Sequence, residues 1–141
     1  MVFQKKYSIY FYASLILVTL YGSFCLYVLL EFSWDQLLRA DNEVAAALGR
    51  RVISARILGI VLIAGGLAAS FFFPKIFGRY LMIAAIWSWI SFIDDTITFQ
   101  EGVVELSGVG GGLIVGLRPV YILLVTYIVI EHWARYGGNF D

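Results

Sequence analysis

Apolar residues run almost unbroken through four stretches of the chain, 7–30, 54–73, 78–99 and 108–130, and charged residues collect between them. A helix rises about 1.5 Å per residue, so about 20 apolar residues reach across a hydrocarbon core of about 30 Å. Each stretch meets that length. The pattern predicts an all-α integral membrane protein, with four transmembrane helices in an antiparallel bundle and both termini on one side. The third stretch is the least regular: only residues 81–93 are continuously apolar, too few to cross. Its helix must therefore continue through Asp94 and Asp95 toward Phe99.

Tyr7, Tyr10 and Tyr12 frame the first stretch at one boundary, and Phe32 and Trp34 at the other, as aromatic belts do at a membrane interface. Lys5 and Lys6 before it imitate an export signal. An apolar run of this length with no small-residue cleavage site describes a retained helix instead. In the connector 33–51, Ser33 and Gln36 have capping-box spacing, and Leu37, Leu38, Val44, Ala45 and Leu48 recur at helical intervals. This is either a short amphipathic helix lying on the membrane between the first two spans or a solvated connector covering the bundle end. The few residues around Pro74 make the second and third helices an antiparallel hairpin. Residues 100–107 carry acids and no base, and read as a loop with a short hairpin turning at Glu101 and Gly102, or as irregular chain.

Small residues mark where helices approach closely. Gly65 with Ala69, and Gly66 with Ser70, repeat small-xxx-small in the second helix, facing the third. Gly108, Gly112 and Gly116 make a longer stripe at the start of the fourth, where a neighbour can pack backbone to backbone. The alternative is a flexible glycine loop, with the helix beginning at Pro119, a residue well tolerated in a first turn.

Composition narrows the class further. Apolar residues make up 61% and charged residues only 14%, against about 25% charged in an ordinary soluble domain. Net charge is zero, and Lys and Arg do not interleave with aromatics, which excludes nucleic acid as a partner. The single cysteine, Cys25, forbids an intrachain disulfide. The single histidine, His132, rules out a bis-histidine haem or a histidine-rich metal site within one chain, and no cofactor is expected. At the end of the fourth span Glu131 and Arg135 have the spacing of an i,i+4 ion pair. The glycines at 108–116 lack the preceding strand and following Lys-Ser/Thr of a phosphate loop, and no serine or cysteine has a base beside it. Catalysis is therefore not expected.

The charges inside the spans carry the candidate chemistry. Arg118 lies about 15 Å into the fourth stretch, where a guanidinium facing lipid costs at least about 2.5–3.5 kcal/mol. It must turn inward to an acid or a wet cavity. The topology brings the start of the second helix, the end of the third and the start of the fourth to one face, so Arg56, Asp94, Asp95 and Arg118 gather there. Adjacent aspartates point about 100° apart on a helix. One is expected to pair with Arg118 and the other with Arg56. The cluster is either an ion-pair lattice that holds three helices in register or a polar pocket for a headgroup or a proton.

Lys5, Lys6, Lys75, Arg79 and Arg135 fall on one side of the bundle, and Arg39, Arg50, Arg51, Arg56 and Arg118 on the other. The tie breaks on the pair directly before the first helix, which puts both termini in the cytoplasm of a multi-pass cell-membrane protein. The second span ARILGIVLIAGGLAAS, the connector after the first span and the acid near the end of the third together resemble the small DoxX-like membrane proteins over residues 55–135. The third span, WISFIDD, departs from that group in having no arginine, and the loop before the fourth span is long. The resemblance implies architecture and no site. Two functions are expected to compete. One is an accessory or assembly subunit that docks by its glycine faces onto a larger membrane complex, with membrane lipids and a protein partner or a second copy as its expected neighbours. The other is a protein that binds or transports a lipid, quinone or small ion through the Arg/Asp cluster.

Overall fold

The computed structural model describes residues 7–31, 38–39, 42–73, 76–100, 105–106 and 108–136. Its elements are α1 (Ile9–Glu31), β1 (Leu38–Arg39), α2 (Glu43–Phe72), α3 (Phe77–Gln100), β2 (Glu105–Leu106) and α4 (Gly108–Tyr136). Three of the helices contain segments long and apolar enough to cross a membrane, Ile9–Leu30, Phe77–Ile97 and Val109–Tyr136. Lys5, Lys6, Phe32, Ser33, Trp34, Gln36, Leu37, Pro74, Lys75, Glu101 and Gly102 lie outside the described residues.

Local chemistry sets the helix ends. Ser8 caps α1, its hydroxyl and its carbonyl oxygen accepting the Phe11 N–H at 3.2 and 3.1 Å. Asn42 opens α2: its carbonyl takes the Ala46 N–H at 3.0 Å, and Glu43 sets a negative charge at the positive end of the helix dipole. From there α2 runs unbroken for 30 residues and stops before Pro74. This corrects the expected connector, because residues 43–51 are the first turns of α2 rather than part of a separate amphipathic helix. Ala45, Ala46, Ala47, Leu48, Arg50 and Arg51 are strong helix formers, and no residue after them ends the helix. Leu38 and Arg39 are not helical either. They form β1, which pairs antiparallel with β2, Leu38 opposite Leu106 and Arg39 opposite Glu105. Glu105 and Leu106 of the acidic segment thus pair with the chain that follows α1.

The helices form a ring in which α1 packs along α4, α4 along α3 and α3 along α2, with a lighter contact closing α2 on α1. Two glycines set the α2/α3 register. A Cβ on Gly59 would sit 2.2 Å from the Trp87 ring, and one on Gly66 2.2 Å from the Tyr80 ring. Of the two glycines expected to receive α3, Gly66 does so and Gly65 faces open space. α4 is helical from Gly108, so the glycine loop is excluded, and Pro119 sits inside the helix. Proline lacks the N–H that the carbonyl of Val115 would accept, and the adjacent Ile114 carbonyl takes a hydrogen bond from the Tyr21 hydroxyl at 2.7 Å. Gly112 and Gly116 meet nothing within 4 Å, while Gly110 faces Val28. Gly112 and Gly116 of the expected stripe therefore point away from the ring: α1 packs on the face of α4 that carries Gly110 and Ile114.

Two apolar clusters hold the ring. Cys25, Val28, Leu29, Ile53 and Ile114 pack near the aspartates, and Tyr7, Phe11, Phe77, Leu81 and Ile128 pack near the opposite end.

Candidate functional site

On α3, Ser88, Ser91 and Asp95 are spaced three and four residues apart, so they share one helical face, and all three are buried. That face looks into the space the four helices enclose. From α2, Arg56 Nη2 donates to Asp94 Oδ2 at 2.6 Å and to Asp95 Oδ1 at 3.0 Å, while its Nε donates to Asp95 Oδ1 at 3.3 Å. From α4, Arg118 Nη2 pairs with the other oxygen, Asp95 Oδ2.

The structure therefore brings Arg56, Asp94, Asp95 and Arg118 together but divides the contacts differently from the expected one-to-one pairing. Arg56 addresses both carboxylates, and Asp95 is shared by both arginines. The 100° offset fixes only the Cα–Cβ directions. Side-chain torsions swing both carboxylates onto a guanidinium lying between them. The two acids are not equivalent: the Asp95 side chain is 3% exposed and that of Asp94 55%, so Asp95 carries the buried charge. Behind this cluster the Trp87 ring, seated against Gly59, supports the Arg56 guanidinium 5.8 Å from its centroid. Sequence reasoning named Arg56 but not Gly59, the residue that gives its aromatic support room.

Below the cluster lies a cavity of about 420 Å³ lined by residues of all four helices and walled mainly by apolar side chains. A few hydroxyls interrupt its lining. Ser88 Oγ donates to the Ala84 carbonyl at 2.7 Å, so the Tyr121 hydroxyl, 2.7 Å away, donates to Ser88. Ser91 is different. Ser88, Thr96 and Thr126 each turn their hydroxyls back to the carbonyl four residues earlier, but Ser91 Oγ has no partner, alone among the buried side-chain polar atoms of the described residues. The i, i+3, i+7 spacing of Ser88, Ser91 and Asp95 was the signal that sequence reasoning passed over.

No family model matches the chain, and no curated protein or solved structure is similar to it.

The opposite end of the ring holds a second polar group. Glu131 accepts four donors: the Ser8 N–H at 2.7 Å, the Ser8 hydroxyl at 2.6 Å, the Tyr127 hydroxyl at 2.6 Å and Arg135 Nε at 2.8 Å. The i,i+4 pair is present, but Glu131 also serves as the acid of a capping box whose serine belongs to α1. His132 is buried beside it, its Nδ1 2.8 Å from the Tyr7 hydroxyl and its ring between Tyr7, Phe77 and Tyr136. Among the described residues no three His, Cys, Asp or Glu side chains meet as a metal site.

Proposed function

We propose that this is a four-span membrane protein that holds a small amphiphile, a lipid or a quinone, between its helices, with Arg56, Asp94, Asp95 and Arg118 closing the polar end of the site. The carrying observation is the cavity. Ligand sites of about 300–1,000 Å³ combine apolar walls with a few placed polar groups, and this one joins about 420 Å³ of apolar space to fixed charges and an unused hydroxyl. Crossing by α2 is supported by its antiparallel packing on α3 and by exposed Leu58, Val61 and Leu62 on its outer side. From Arg118 to Glu131, α4 climbs about 20 Å, less than the hydrocarbon core of about 30 Å. Both polar ends cannot lie outside the bilayer at once, which accounts for charges that are satisfied within the protein. Lys5 and Lys6 before α1 support a cell-membrane orientation with cytoplasmic termini.

The second reading is an accessory subunit, favoured by Gly112 and Gly116, which are exposed on α4 with open space before them. Extraction in mild detergent followed by native mass measurement separates the two. The ligand reading expects the chain, alone or as copies of itself, with a bound small molecule. A stable complex with a larger protein and no small-molecule mass would favour the subunit.

A further inference from the structure

Resting on the reading that the cavity holds an amphiphile, we infer that its ligand has an uncharged head with an oxygen acceptor, which receives the Ser91 hydroxyl, and that it arrives sideways between α1 and α2. Charge balance favours an uncharged head over an ionic one. The two guanidinium groups face two carboxylates, and both oxygens of Asp95 are engaged, one by each arginine. An anion would have to compete for Arg56 or Arg118 with the carboxylates that already neutralise them. A cation would meet both arginines with no free carboxylate oxygen on Asp95. An uncharged carbonyl or ester oxygen disturbs neither pair, and it supplies what Ser91 Oγ lacks. Unsatisfied buried hydroxyls are rare and call for a partner. Among the other hydroxyls that line the cavity, Ser88 is committed to Ala84, Tyr121 to Ser88 and Tyr21 to Ile114, which leaves Ser91 as the donor for an incoming head.

The path follows from the weakest seam of the ring. α1 and α2 meet around Cys25, Val28, Leu29 and Ile53, near the aspartate end. Further along, Thr19 and Ser23 of α1 and Ala64 and Ala68 of α2 line the cavity and yet are exposed. The cavity thus opens sideways between short side chains, at the level where acyl chains lie in a bilayer. A tail can enter there without crossing either polar end.

The test uses the purified full chain, stripped of lipid and re-exposed in detergent to equal concentrations of decyl-benzoquinone, dioleoylglycerol and dioleoylphosphatidylglycerol, with bound mass read by native mass spectrometry. The expected result is binding of one or both uncharged probes, the better one identifying the source of the head. Ser91→Ala should weaken that binding roughly 3- to 10-fold, the worth of one hydrogen bond. Ser91→Thr keeps the hydroxyl and should retain binding, and Ala64→Trp should block it. Ser91→Ala should also melt no lower than the parent, since it removes an unsatisfied group, so lost binding is not lost folding. Preference for the phosphatidylglycerol overturns the uncharged head while leaving a ligand cavity. Equal binding by parent, Ser91→Ala and Ala64→Trp overturns the inference as surface adsorption. Failure of every probe, with no small molecule on the protein as first extracted, overturns the cavity reading as well.

Discussion

The two polar ends of the ring use similar residues to different effect. At the glutamate end, Glu131 takes four hydrogen bonds and His132 is packed against aromatic rings, so the polar atoms are already engaged. At the aspartate end, Asp95 is equally well bound, but the face that carries it continues into a cavity and includes a hydroxyl without a partner. Burial of charge is common to both. What separates a fastening from a binding site here is spare hydrogen-bonding capacity next to empty space.

That contrast can be broken or sharpened by substitution. Glu131→Ala should have the largest effect, because it strands three donors and the partly exposed Arg135 at once. A loss of about 3–5 kcal/mol is expected from four hydrogen bonds to one carboxylate lost together, read as reduced resistance to denaturant in detergent. Arg118→Ala should cost less, about 1.5–3 kcal/mol, since Asp95 keeps Arg56. Adding Asp95→Asn should recover most of that loss, whereas adding Asp94→Asn should not, because Arg118 touches only Asp95 of the two. A double-mutant cycle in which the Arg118 and Asp95 losses simply add would refute the pairing. Asp94→Ala alone should change stability by less than about 1 kcal/mol, as expected for a half-exposed ion pair. Comparable losses for Asp94→Ala and Glu131→Ala would erase the distinction between the ends.

Much of the architecture was legible because long apolar runs mark the helices and because hairpin topology sends particular helix ends to one face. Arg56, Asp94, Asp95 and Arg118 could be gathered on that basis alone. The partition among them could not, since it depends on side-chain torsions and on a guanidinium that stands between two carboxylates. Nor could the packing faces be read: Gly65 and Gly66 both begin small-residue repeats, one residue rotates a face by about 100°, and only the position of Tyr80 decides between them. The start of α2 was misjudged because a change from polar to apolar composition resembles a boundary, while the backbone continues through it. Ser91 is not legible in the sequence because a serine inside an apolar helix normally bonds to its own backbone, and the exception depends on the three-dimensional surroundings.

The capping of Ser8 by Glu131 has a consequence for synthesis. The first turn of the first helix takes its carboxylate from a residue 123 positions later in the chain. While the ribosome is still making the middle of the protein, that N-terminus has no such acceptor, so the ring closes only after the last helix has emerged. A chain interrupted before residue 131 would leave its opening helix without the group that finishes it.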